Sequence, residues 1–277
     1  MSGALVCQRG FLPSTPRAKF EPLSDRMKAS LILPALLSAT FVTLSCLPAS
    51  GQDISKLIEK ADKLDLQEQK DAAIQTLKQA EQINPNDPRV VIRLSDDYSD
   101  KVDLATDRSQ KLSFANLSLE YAKRAVQLAP DNSDAHSALA VAYGRMTDFV
   151  GNRTKIQYSK IIKSEAERAA ELNPKNDNAL FVLARWHLDM STLNPILKGI
   201  AQLIYGQMPP ASQGKALEYF QRSIAAAPQR IRYHAEYAKA LEQLGRPQEA
   251  KAQWQKVRQL KPIDSAEREY QAEAAKK

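Results

Sequence analysis

Three histidines, His136, His187 and His234, are the residues of this chain best suited to binding a metal or to transferring protons. Imidazole coordinates transition metals and titrates near neutral pH. A metal site, however, needs several ligands that converge on one point. Each histidine falls in a different helical unit of the chain, at a position that those units fill with a core side chain. We therefore predict three core histidines and no metal site.

Sequence motifs of catalysis are missing from the chain. It contains no G-x-S-x-G nucleophile elbow, no glycine loop that would cradle a phosphate, and no H-E-x-x-H pair. Its many carboxylates stand in charged helical runs, which usually form solvated faces. The sequence predicts a non-enzymatic binding protein without a cofactor.

The composition is that of a globular protein and argues against nucleic-acid binding. The 277 residues are 43% hydrophobic and 26% charged, with a formal net charge of +7. The basic residues are spread along the chain, whereas nucleic-acid binding needs them clustered. Both cysteines, Cys7 and Cys46, precede residue 52, so the rest of the chain can form neither a disulfide nor a thiolate metal site.

Residues 27–51, MKASLILPALLSATFVTLSCLPASG, have the pattern of a secretory signal peptide. A short basic start precedes an apolar run over residues 31–47, and small residues follow it. We predict a secreted or periplasmic protein, with residues 1–26 an unstructured extension and Met27 the start of translation. Two alternatives stay open: residues 31–47 remain as an uncleaved membrane anchor, or Cys46 carries a lipid.

One sequence motif recurs after residue 52: a helical stretch ends at Pro, and a polar residue, mostly Asn or Asp, follows within two positions. It appears as EQINPND, VQLAPDN, AELNPKN, AAAPQR and RQLKPID, and the last two prolines are 34 residues apart. That spacing is the tetratricopeptide period. The sequence therefore predicts an all-α tetratricopeptide-repeat (TPR) solenoid over residues 52–277, with extended loops or helices inserted in repeats 2–4. It has five helix pairs, at about 54–87, 88–132, 133–176, 177–230 and 231–264, and a capping helix at 265–277.

Residues 191–210, STLNPILKGIAQLIYGQMPP, form an apolar insert in the fourth repeat. Leu193, Leu197, Ile200 and Ile204 recur at the spacing of one helix face, with Tyr205 beside them. We predict a short helix that starts at Asn194-Pro195, because Pro fits the first helical turn. Three roles remain open: the helix packs on the solenoid, it lines an apolar cavity able to take an acyl chain, or it inserts at a membrane surface.

The first helix of each repeat is expected to face the concave groove, where a ligand would bind. In repeats three to five the candidate ligand-binding residues are Arg145, Phe181, Arg185, Trp186, Leu188, Arg232 and Lys239. They predict a mildly basic C-terminal end and an acidic N-terminal end of the groove. We predict a protein partner, with a phospholipid or fatty acid as the alternative, its head group held by Arg185 beside Trp186.

The inserted repeats resemble the regulator of microtubule dynamics family. The resemblance covers roughly residues 54–265 and runs through RLSDDYSD, LAVAYGRM and ALFVLARWHLDMSTLNPILKGIAQLIYGQMPP; this chain is one residue longer just before the final Pro pair. It is most specific at Leu183, Arg185, Trp186, Tyr205, Gly206, Pro209 and Pro210. The resemblance implies a non-enzymatic repeat protein that associates with microtubules or sits at organelle membranes, here as a bacterial-type exported relative.

Overall fold

The computed structural model describes residues 51–277, so the predictions for residues 1–50 lie outside the described residues. This part of the chain consists of twelve α-helices and contains no strand. A single 3₁₀ turn, Thr147–Phe149, follows the fifth helix. The helices are α1 (Gly51–Leu66), α2 (Lys70–Ile83), α3 (Pro88–Leu104), α4 (Arg108–Leu128), α5 (Ser133–Met146), α6 (Asn152–Leu172), α7 (Asp177–Ser191), α8 (Pro195–Tyr205), α9 (Gln213–Ala226), α10 (Ile231–Gln243), α11 (Pro247–Gln259) and α12 (Ser265–Ala274).

The helices pack as pairs, which confirms the predicted all-α tetratricopeptide solenoid. The pairs are α1 with α2, α3 with α4, α5 with α6, α7 with α9, and α10 with α11. The last helix, α12, packs on α10 and α11 and caps the stack. The insert helix α8 leaves the pattern and lies along α6.

The recurring Pro motif has a structural reason. In each copy the residue two positions after Pro is the N-cap of the next repeat's first helix. Asp87, Asn132, Asn176 and Asp264 accept backbone N–H groups through their side chains, for example Ala179 N–H to Asn176 at 2.9 Å. Arg230 holds the same position in the fifth repeat, but its guanidinium has only donor groups and cannot accept a backbone N–H. The proline thus ends one helix and the Asn or Asp starts the next.

Alanines at the helix crossings let the paired helices approach closely. Ala73, Ala122, Ala166 and Ala216 are fully buried, and the larger core side chains fill the spaces beside them. Gly245 joins α10 to α11 with a φ of 72°, a left-handed conformation that favours glycine.

The insert forms the short helix that the sequence predicts. Asn194 caps α8 by accepting the N–H of Leu197 at 2.9 Å, Pro195 occupies its first turn, and Gly206 ends it with a φ of 76°. Its Ala201 is buried against α6 and α7. Neither α8 nor any other helix of residues 51–277 is long and apolar enough to cross a membrane.

Candidate functional site

A cavity of about 530 Å³ opens on the concave side of the stack, and we call it the groove cavity. Its walls come from α5, α6, α7, α8, α10 and α12. Seven predicted residues line it: Arg145, Phe181, Arg185, Trp186, Arg232, Leu193 and Leu197. Other lining residues that the sequence reasoning did not single out include Gly144, Lys155, Ser159, Glu236 and Tyr270.

Aromatic side chains form a rigid apolar floor of the groove cavity. Trp186 is buried, and its Nε1–H donates to the carbonyl oxygen of Ser159 at 3.0 Å. Phe181 packs edge-to-face on Phe220, with ring centroids 5.9 Å apart. The guanidinium of Arg232 lies over the Phe181 ring, 4.9 Å from its centroid. A ligand would therefore meet a fixed aromatic surface next to a cation.

Carboxylates neutralise most of the predicted basic end of the groove. Arg145 makes two hydrogen bonds to Asp103, at 2.6 and 2.7 Å. Arg185 is bound to Glu236 at 2.6 Å. The sequence prediction therefore overestimated the positive charge at the C-terminal end of the groove. Asp103 from α3 and Glu236 from α10 pair with these two arginines.

Arg232 remains available for a ligand. Within residues 51–277 its guanidinium makes no hydrogen bond and no ion pair within 4 Å. It lies over Phe181, and the carboxylates of Asp103 and Asp100 attract it from a greater distance. Lys155, at the opposite wall of the groove cavity, likewise lacks a polar partner in the described part of the chain. The groove cavity thus offers an apolar floor and two unpaired cations.

A second cavity of about 340 Å³ adjoins the first, and we call it the polar cavity. Arg145, Arg232 and Tyr270 line both. The predicted residue Lys239 lies here and not in the groove cavity. Its ammonium group is bound to Glu273 at 3.0 Å and to Glu236 at 3.3 Å, over the Tyr270 ring. Burial, together with Glu236, raises the pKa of Tyr270 and keeps it a neutral donor.

Leu188 is not a groove residue, contrary to the prediction. It is 1% exposed and belongs to the core formed by α7, α9 and α10. The predicted insert residues fall into two groups. Leu193 and Leu197 line the groove cavity. The other three pack on α6 and α7: Ile200, Ile204 and Tyr205. The Tyr205 hydroxyl is hydrogen-bonded to the Ser159 hydroxyl at 2.7 Å. The insert thus supplies both core and cavity wall.

The N-terminal end of the groove is acidic, but cations partly balance it. Arg93 pairs with Asp62 at 2.7 Å, and Lys70 with Asp100 at 3.0 Å. Asp96 is part-buried and has no hydrogen bond within the described residues. Burial, with the nearby carboxylate of Asp100, raises the pKa of Asp96 to about 8.

The three histidines serve the core in separate repeats. Nε2–H of His136 donates to the carbonyl of Pro130 at 2.8 Å, and Nε2–H of His234 to that of Pro228 at 3.1 Å. His187 stacks on a neighbouring tyrosine ring with centroids 5.5 Å apart. Across residues 51–277 no group of three or more His, Cys, Asp or Glu is arranged to hold a metal ion.

Two of the unpredicted cavity residues follow a register that continues into the cap. Glu236 stands eight residues after Pro228, and Tyr270 stands eight residues after Pro262. α12 therefore acts as the first helix of an incomplete sixth repeat, and its Tyr270 faces the groove as Glu236 does. Extending the repeat count into residues 265–277 would have identified Tyr270.

The family model described as "Regulator of microtubule dynamics protein 1-3" matches residues 57–277. The chain belongs to this family. It is 28% identical over 171 residues to regulator of microtubule dynamics protein 3 of Xenopus laevis, covering 61% of this chain and 37% of the relative. It is 28% identical over 209 residues to protein 1 of Bos taurus, covering 72% and 65%. The chain thus spans less than two thirds of the length of these curated relatives.

A solved structure supports the fold alone. A thermophilic TPR protein of Thermus thermophilus superposes with a TM-score of 0.56 at 20% identity. The superposition covers 81% of this chain and all of the other. The superposition therefore supports the tetratricopeptide solenoid as the fold of residues 51–277.

Proposed function

We propose that this chain is a non-enzymatic scaffold that binds an extended segment of a protein partner in its groove cavity. The observation that carries the proposal is Arg232, a part-buried cation in the cavity wall that lies over Phe181. Its side chain makes no hydrogen bond and no close ion pair within residues 51–277. Tetratricopeptide stacks bind ligands on their concave side, which is where Arg232 lies.

The chemistry of the groove cavity favours an acidic residue beside an apolar one. A carboxylate can accept two hydrogen bonds from the Arg232 guanidinium. A neighbouring apolar side chain would then contact Phe181 and Leu193. The paired arginines, Arg145 and Arg185, hold the walls and are less available because carboxylates of this chain already satisfy them.

Charge reversal at Arg232 tests the proposal. A partner is recovered by cross-linking to the full chain, and its affinity is measured by calorimetry. Arg232→Glu should weaken binding about 10- to 100-fold, the value of one charged hydrogen-bonded contact. Arg222→Glu, on α9 and outside both cavities, is the matched control and should bind normally. Equal affinity of both variants would place the binding site elsewhere.

A lipid is the second candidate occupant, favoured by Leu193 and Leu197 in the cavity wall. An acyl chain would lie on these side chains and Trp186, with its phosphate or carboxylate at Arg232. Native mass spectrometry of the full chain, purified without detergent, would then show a bound lipid mass that Leu197→Asp removes. A clean apo mass would exclude this candidate.

A role at microtubules is a third candidate and rests on family membership and the names of the relatives. Microtubule contact requires a cytoplasmic chain, whereas the signal peptide proposed for residues 27–51 exports it. Fractionation with mass spectrometry of the mature N-terminus separates the two. A chain cleaved near Gly51 and found outside the cytoplasm would exclude the microtubule role.

A further inference from the structure

The outer side of α8 exposes two large apolar side chains. Ile196 is 73% exposed and Leu203 is 88% exposed. They are seven residues apart, which places them two turns apart on the same side of the helix. The other side of α8 is already used, because Leu197, Ala201 and Ile204 contact the core or line the groove cavity. The exposed pair is therefore not needed for the fold.

The two chain segments that flank this pair contain basic residues and no acidic ones, although Glu167 from the next turn of α6 pairs with Lys163 at 2.5 Å. The segments 149–164 and 190–217 contain no Asp or Glu. Their basic residues are Arg153, Lys155, Lys160, Lys163, Lys198 and Lys215. Other stretches of the described chain also lack acids, such as 219–235 with three basic residues and 250–263 with four. The charge around α8 therefore points to a docking surface only together with the exposed apolar pair, Ile196 and Leu203.

Contacts in the structure hold the two segments together. The Lys160 ammonium lies 3.4 Å from the carbonyl of Ile204 and 5.2 Å from the Tyr205 ring centroid. Ser159, next to it, is bonded to the Tyr205 hydroxyl. Arg153 is seven residues before Lys160, on the same side of α6, and Lys198 projects from α8 itself. Neither Arg153 nor Lys198 has a polar partner in residues 51–277.

We propose that the exposed face of α8 docks on an anionic lipid surface. Ile196 and Leu203 enter the boundary between head groups and acyl chains, while Arg153, Lys160 and Lys198 contact lipid phosphates. A second copy of the chain fits this face less well, because a two-fold contact would bring the same cations together without a carboxylate between them. The surface is separate from the groove cavity and independent of what that cavity binds.

The test reports on α8 alone in the full chain. Leu203→Trp places a fluorophore on the exposed face, while the native Trp186 and Trp254 are buried. Because Trp186 also lines the groove cavity, the signal of the unsubstituted chain is measured with the same vesicles and subtracted. The matched control is Leu66→Trp, at a residue 71% exposed on α1. Vesicles of phosphatidylcholine are compared with vesicles that also contain phosphatidylglycerol, with brominated acyl chains as the quencher.

On the anionic vesicles we expect the Leu203→Trp variant to show a blue shift and quenching, both weaker at high salt, and the Leu66→Trp variant to show no quenching. Adding Arg153→Gln, Lys160→Gln and Lys198→Gln to the Leu203→Trp variant should reduce the quenching severalfold. An unquenched fluorophore at position 203 would overturn the proposal, even if the chain binds vesicles through another segment. A blue shift that grows with protein concentration in the absence of vesicles would also overturn the proposal. That result would mean that a second copy of the chain covers this face of α8.

Discussion

Arg268 on the last helix forms an ion pair with Glu68 in the turn between the first two helices. The two residues are 200 positions apart in sequence. The C-terminal cap therefore reaches back to the first repeat, and the concave side is bridged at the level of α12. Because both side chains are exposed, salt should screen the attraction.

Charge reversal at Arg268 should separate the two ends of the stack. Arg268→Glu places a second negative charge opposite Glu68, and the two carboxylates repel each other. The mean distance between spin labels at Gln67 and Ala272 should therefore increase, and its distribution should broaden. The labels require Cys7 and Cys46 to be replaced by serine. The swap Glu68→Arg with Arg268→Glu should restore the short distance. If the single variant leaves the distance distribution unchanged, the ion pair does not hold the ends.

Gly144→Ala should stabilise the fold. Gly144 lies in α5 at the cavity wall, and a Cβ there would meet no atom within 4 Å. The helix then gains up to about 0.5–1 kcal/mol from the reduced entropy of the unfolded backbone. Urea unfolding should show a higher midpoint with an unchanged slope. A lower midpoint would mean that the cavity wall is tighter than the structure has it.

Asp96→Asn should stabilise the protein at alkaline pH but not at acidic pH. The folded pKa of Asp96, about 8, lies above the ordinary aspartate value. From about pH 4 to about pH 8 the folded state thus holds a proton that the unfolded state has lost, and the free energy of unfolding falls as pH rises. We expect the variant to gain about 1–2 kcal/mol over wild type between pH 5 and pH 8.5, since solvent screens part of the penalty. An advantage that is equal at both pH values would contradict the assignment.

Asn176→Ala should cost more stability than Asn132→Ala. Both side chains cap a helix, but Asn176 also donates to Ser133 and to Asp134, each at 2.9 Å, and is 5% exposed. Loss of a cap costs about 0.5–2 kcal/mol, and each further hydrogen bond about 0.5–1.5 kcal/mol. Thermal or urea unfolding of the two variants measures the difference. Equal losses would show that the contacts between repeats add nothing.

The helices were predictable because their signals are local. A capping Asn or Asp two residues after Pro, alanines at fixed spacing and the Asn194-Pro195 start of α8 each act within one or two turns. The groove was predicted less well because its chemistry depends on neighbours distant in sequence. Nothing near Arg145 indicates that Asp103 satisfies it, and nothing near Leu188 distinguishes it from a groove residue until α9 and α10 cover it.

The most direct test of groove binding is a photoreactive residue at Gly144, in the groove cavity wall, with Gly214 on α9 as the matched control. Benzoylphenylalanine is introduced at each position of the full chain in cells, and the adducts are identified by mass spectrometry. We predict that position 144 captures a defined peptide segment containing an acidic residue beside an apolar one, and that position 214 does not. Capture of a lipid alone at position 144, or of the same proteins at both positions, would contradict the account.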